Sequence, residues 1–254
     1  MREKDPYAKD PYWYRPGHPT APARTTGIKI APGFEVERIL TVPHEMGSWT
    51  ALTTDPRGRL ITAAQEQAGL FRITLPRPGD AAEPLVEKLF GVAATVGWSQ
   101  GLLYAFDSLF VTVAGENSAV ARGVYRLKDT DGDDQFDYIT QLFQLDGSGE
   151  HGPHNLVVAP NGRELMLMCG NKTRVLEQVK HVARGIESGI DHFMPPGFES
   201  SQFATQGWAM RFGPDGSNPE VILSGLRNSY DLAFDRAGAL FTLDSDAEWD
   251  LGTP

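Results

Sequence analysis

From Ala31 onward, short apolar runs alternate with Pro- and Gly-bearing turns, and within the runs the period is the two-residue period of β-strands. Gly33–Leu40 alternates apolar and charged side chains and is predicted to form a half-buried strand. Ala51–Ala64 reads as strand, turn, strand, with Asp55-Pro56-Arg57-Gly58 at the corner. Proline presets φ at the first turn position and glycine supplies the left-handed one. The same pattern returns at Leu156–Leu167 around Pro160-Asn161-Gly162, and at Leu232–Leu243 around Asp235-Arg236-Ala237-Gly238. A further copy, Leu102–Val113, has lost its glycine and turns near Asp107-Ser108.

These turns lie near positions 58, 108, 162 and 238. Short strands repeating every 40–50 residues or so are the mark of propeller blades, and here one long insertion precedes the last repeat. Helical periodicity is scarce; Arg174–Gly189 is the best helix candidate and falls in that insertion, expected between blades. Residues 1–27 carry Pro6, Pro11, Pro16, Pro19 and Pro22 among Tyr7, Tyr12, Trp13 and Tyr14, which predicts an extended arm lying against a surface. The expected architecture is therefore all-β: an arm over 1–27 and, over 28–254, a partial β-propeller. No closing strand is evident at Trp249–Pro254, so the chain reads as truncated or partial.

The formal charge of −10, with 23 basic against 33 acidic residues and no basic stripe, sets nucleic-acid binding aside. The single cysteine, Cys169, rules out an internal disulfide framework and any CxxC metal or haem motif. It lies in the apolar run Leu165–Cys169, where a small core residue is expected. No apolar run is long enough to span a membrane, and the first residues lack the apolar core of a secretory signal.

Four stretches can carry chemistry. Gly149-Glu150-His151-Gly152-Pro153-His154 leads into an inner strand and presents two histidines where a propeller opens its central mouth. Imidazole takes a proton near neutral pH, so these are either general-base candidates or hydrogen-bonded structural residues. Arg227-Asn228, at the equivalent point of another blade, supplies fixed positive charge and planar donors for an anionic ligand or a developing oxyanion. Asp129-Thr130-Asp131-Gly132-Asp133, followed by Asp137, sets carboxylates at loop positions that converge on one hard cation such as calcium. The alternative is a solvated acidic hairpin tip. Asp244–Asp250 is a second cation site, a pocket rim or a solvated loop. No GxGxxG after a strand, P-loop, GxSxG or HExxH is present.

Taken together, Ser99-Gln100-Gly101-Leu102-Leu103, Asp129–Asp133, Gly149–His154, Gly225-Leu226-Arg227-Asn228 and Asp244–Asp250 resemble the glucose/sorbosone dehydrogenase-like six-bladed propellers. They are most like the branch abundant in planctomycetes, which comprises membrane-bound dehydrogenases and haem-binding propeller proteins. The resemblance implies about four of six blades. It also implies pyrroloquinoline quinone with calcium as cofactors, a sugar or polyol as substrate, and an extracytoplasmic, periplasmic location. His151, rather than His154, falls at the family's general-base position; Arg227 and Asn228 match the pair that contacts the quinone. Ser99 stands where the family has glutamine, with Gln100 adjacent, and His154 joins these beside the cofactor. Pro153-His154 replaces the family's Gly-Gly after the base. The later cationic residues of the quinone site would lie beyond residue 254. The c-type cytochrome domain of many relatives is absent, and the resemblance implies an electron-accepting cytochrome domain or protein as partner. The alternatives are a non-catalytic propeller that binds a glycan or protein, and an inactive fragment.

Overall fold

The computed structural model describes residues 28, 31–64, 68–77, 80, 82–115, 117–181 and 207–245; the arm over 1–27 lies outside them. Their regular structure is strands, with only short 3-10 turns between. Strands β1 (Trp49–Thr54), β2 (Leu60–Ala64), β3 (Leu70–Thr74) and β4 (Leu85–Lys88) form one antiparallel meander. Strands β5 (Ser99–Ala105), β6 (Ser108–Val113), β7 (Gly123–Lys128) and β8 (Tyr138–Gln144) form the next. The third sheet has β9 (Pro153–Val158), β10 (Leu165–Cys169), β12 (Trp208–Phe212) and β13 (Glu220–Ser224) in order, with the two-residue β11 (Lys180–His181) added in parallel outside β13. Strands β14 (Leu232–Phe234) and β15 (Leu240–Thr242) begin a fourth.

The first strand of each sheet lies beside the first strand of the next, β1 by β5, β5 by β9 and β9 by β14, so the sheets radiate from a common axis. All four turns read from the sequence join the first two strands of a sheet. Asp55 and Asp235 close theirs identically: the backbone N–H of the residues two and four further on donates to one carboxylate oxygen, at 2.8–2.9 Å. The copy without glycine makes its turn with Phe106 and Asp107, both in the left-handed region at φ 51°.

Sheets packed on both faces read as continuous apolar runs rather than alternating ones. In β6, Leu109, Val111 and Val113 face the first sheet while Phe110 faces the third; in β10, Leu165, Leu167 and Cys169 face the second sheet while Met166 and Met168 face the fourth. Cys169 is fully buried, and desolvation pushes its thiol pKa well up, as befits a core residue.

Three sequence expectations are corrected. Gly33–Leu40 forms no strand: among the described residues it has no ladder partner, and Phe34, Val36 and Ile39 are exposed. Alternation makes a segment amphipathic, but a strand also needs a neighbour. Arg174–Val179 is a turn-rich segment leading into β11, not a helix, and residues 182–189 lie outside the described set. The long insertion sits inside the third sheet, between β10 and β12, rather than between sheets.

Candidate functional site

The inner strands β1, β5 and β9 each carry a bulge in their first residues, at Thr50, at Gln100 and around His154-Asn155. A bulge adds one residue opposite its partner strand and re-aims side chains. Repeated at the same end of each inner strand, it shapes one mouth around the axis. Gly101 permits the close approach of β5 to β9 there, since a Cβ would come within 2.4 Å of the His154 carbonyl oxygen.

His151 closes the 3-10 turn Gly149–His151 just before β9. The register of β9 with β10 pairs Cys169 with Pro153, and continuing it by two residues brings Asn171 opposite His151. The His151 ring is buried and its Nδ1 lies 2.7 Å from Asn171 Oδ1. An amide oxygen only accepts, so Nδ1–H is the donor of this pair and Nε2 is the ring nitrogen left to face the mouth. That nitrogen lies 4.0 Å from Glu150 Oε1. Three backbone bonds lock the surroundings: Gly170 N–H to Gly152 (2.8 Å), Lys172 N–H to His151 (3.2 Å) and Asn171 N–H to Arg227 (2.8 Å).

His154 is placed differently. Fully buried, it has Nδ1 at 2.9 Å from the Ser229 carbonyl oxygen and Nε2 at 2.7 Å from that of Glu150. Burial pushes its pKa down and the two carbonyls oppose that shift. With both nitrogens engaged, it ties the third sheet to the fourth. Tyr230 stacks on its ring at 4.6 Å and donates its hydroxyl to the Gln100 carbonyl at 2.8 Å, bringing in the second sheet. Gln100 Nε2 donates to the Gly149 carbonyl at 2.7 Å, and its Oε1 is buried without a partner. Ser99 is fully buried, its hydroxyl donating to the Val96 carbonyl and its carbonyl accepting from the Thr50 hydroxyl.

Arg227 and Asn228 precede β14 and meet His151 through Asn171. The structure therefore brings His151, His154, Gln100, Arg227 and Asn228 to one mouth. Asn228 Oδ1 is buried there without a partner, and a Cβ on Gly170 would lie 2.7 Å from it.

The acidic loop joins β7 to β8, away from the mouth. One carboxylate oxygen from each of Asp129, Asp131 and Asp133 lies within 4.8 Å of the others. Asp137 instead accepts from the Thr130 amide and hydroxyl, at 2.7 and 2.5 Å. Asp134, which the sequence did not single out, receives both terminal nitrogens of Arg59 at 2.5 and 2.7 Å, with Arg57 and Arg72 at 3.0 and 3.2 Å. The Arg59 bond holds its carboxyl below the ordinary range. The cluster fastens the first sheet to the second; it is a joint rather than a mouth.

Asn171 is the main mouth residue that motif reading passed over. Counting outward from the Gly162 turn sets it opposite Gly152, and the bulge in β9 shifts the pairing by one residue to His151.

No family model matches the chain, and no curated protein matches its sequence. Solved structures do match it. One is the PQQ-bound form of aldose sugar dehydrogenase from Streptomyces coelicolor, at 18% identity and a TM-score of 0.52, over 77% of this chain and 56% of that one. Another is the holo form of the pyranose dehydrogenase PQQ domain from Coprinopsis cinerea, at 15% identity and a TM-score of 0.58, over 90% of this chain and 50% of that one. The fold is a β-propeller, present in part. The chain spans about half the length of the solved structures it resembles, and at these identities the likeness speaks for the fold alone. The described residues supply three sheets of at least four strands and the first two strands of a fourth. None of their helices is long and apolar enough to cross a membrane.

Proposed function

We propose that this chain is the part of a pyrroloquinoline quinone-dependent dehydrogenase that carries the general base, acting on a hydroxyl of a sugar or polyol. The observation that carries the reading is His151: its ring is oriented by Asn171, its Nε2 is left to face the mouth, and the Arg227-Asn228 turn stands beside it. The residues fit a planar, anionic quinone. Arg227 offers charge and paired donors, and Asn228 is held close by, its Oδ1 buried without a partner against Gly170, where any Cβ would lie 2.7 Å from it. When bound, the quinone supplies the two-electron acceptor for the hydride leaving the substrate carbon. His151 Nε2 takes the hydroxyl proton, and Asn171 Oδ1 steadies the imidazolium that results. Arg227 and Asn228 would hold the quinone oxygens.

Calcium belongs to the same proposal. Asp129, Asp131 and Asp133 converge as hard oxygen donors suited to it, and Asp137, tied to Thr130, braces the loop. A glycan-binding mouth without catalysis is the second reading, favoured by Tyr230, which is 41% exposed on a rigidly held ring.

A thermal melt separates the two readings. At a hundredfold excess over Kd a ligand of the native state adds about 2.7 kcal/mol, or roughly 5–10 °C in Tm for a chain of this size. The dehydrogenase reading predicts a rise with calcium and a further rise with the quinone. A cooperative melt that responds to oligosaccharides and ignores the quinone selects the second.

A further inference from the structure

The turn Arg227-Asn228-Ser229 carries the proposed quinone contacts, yet it lies outside any strand ladder. Backbone N–H groups in such a segment need acceptors from elsewhere. One side chain provides them. Asp244, the second residue beyond β15, accepts the Arg227 N–H on Oδ2 at 2.7 Å and the Asn228 N–H on Oδ1 at 2.9 Å. Its Oδ1 also accepts the Ser229 hydroxyl at 3.1 Å. The next residue continues the grip, with Ser245 Oγ accepting from Arg227 Nη1 at 3.0 Å. Ser229 is fully buried and its carbonyl meets His154, so the clamp reaches the histidine side of the mouth.

The hairpin explains the placement. Leu232 pairs with Thr242 across β14 and β15, and extending that register by two residues sets Asp244 opposite Tyr230, over the turn. Bonds from amides to a carboxylate are the stronger, charge-assisted kind. Three donors converging on one carboxylate fix the backbone from which both Arg227 and Asn228 project.

We propose that Asp244 is the positioning residue of the Arg227-Asn228 pair, setting the geometry with which the mouth meets an anionic, planar ligand. The inference rests on the quinone reading above. It makes the stretch after β15 a working part of the site rather than a solvated loop.

The test is a double-mutant cycle read by quinone titration, together with amide hydrogen exchange. Asp244→Ala is expected to speed exchange at the Arg227 and Asn228 amides and to weaken pyrroloquinoline quinone binding by about 10- to 100-fold. Asp244→Asn keeps one acceptor oxygen and is expected to fall between the parent and Asp244→Ala, which also covers the case where the alanine variant fails to fold. In an Arg227→Ala background the Asp244 substitution is expected to cost little more, because it acts through that pair. Unchanged amide exchange, or a full loss of affinity that persists without Arg227, overturns the proposal. A parent chain that binds no quinone would defeat the dehydrogenase reading instead, and amide exchange would still decide the clamp.

Discussion

His151→Ala is expected to lower kcat for sugar oxidation by about 10²- to 10⁴-fold, the usual worth of a positioned general base. Quinone affinity should stay near that of the parent, because the base sits on the β9 side of the mouth and the quinone contacts on the turn before β14. The companion variant His154→Ala should behave in the opposite way. That ring lies within hydrogen-bonding distance of two carbonyls and stacks under Tyr230, so its loss loosens the joint between sheets and weakens binding and stability together. Steady-state kinetics beside a quinone titration separates the two. Full activity in His151→Ala would end the assignment, and loss of quinone binding in that variant would recast His151 as a cofactor contact.

The largest stability effect is expected at Trp208. Its indole is fully buried at the start of β12, between the second and third sheets, and its N–H donates to the Thr173 carbonyl at 2.8 Å. Truncating a buried aromatic to alanine costs about 3–5 kcal/mol, and here a buried carbonyl also loses its donor. Tm should fall by roughly 6–20 °C. Trp208→Phe restores most of the volume but not the N–H, and should recover more than half of the loss. Urea unfolding measures both; a loss below about 1 kcal/mol for the alanine variant would mean that the site collapses without leaving a cavity.

How much of this was legible in the sequence depends on the range of the interaction. The hairpins were readable because a β-turn is local: Pro56, Gly58, Gly162 and Gly238 write their own geometry. Even the turn that lost its glycine kept enough flanking pattern to be placed, and the structure shows how it manages, with Phe106 and Asp107 both left-handed. Gly33–Leu40 misled because the alternation it carries says nothing about whether a neighbour exists. Arg174–Val179 misled for the reverse reason, since its conformation follows its position inside the third sheet rather than its own period.

The mouth divides in the same way. His151 and Arg227-Asn228 stood out by residue type. Asn171 did not, because an amide after an apolar strand is ordinary, and the stretch from Asp244 read equally as a cation site, a pocket rim or a solvated loop. Both become visible once the hairpin register is extended past the paired residues, Cys169 to Asn171 and Thr242 to Asp244. Asp134 was hidden among the other aspartates of its loop; only the arginines of the first sheet, distant in sequence, distinguish it.

The most direct test of the dehydrogenase reading is a single-turnover experiment. The chain is loaded with calcium and pyrroloquinoline quinone, freed of oxygen and mixed with an aldose, and the quinone absorbance is followed. Reduction at a rate that saturates with sugar, and that is lost in His151→Ala, is the predicted result. A quinone that stays bound and oxidised in the presence of every aldose and polyol tried would contradict the account and leave the mouth a binding surface.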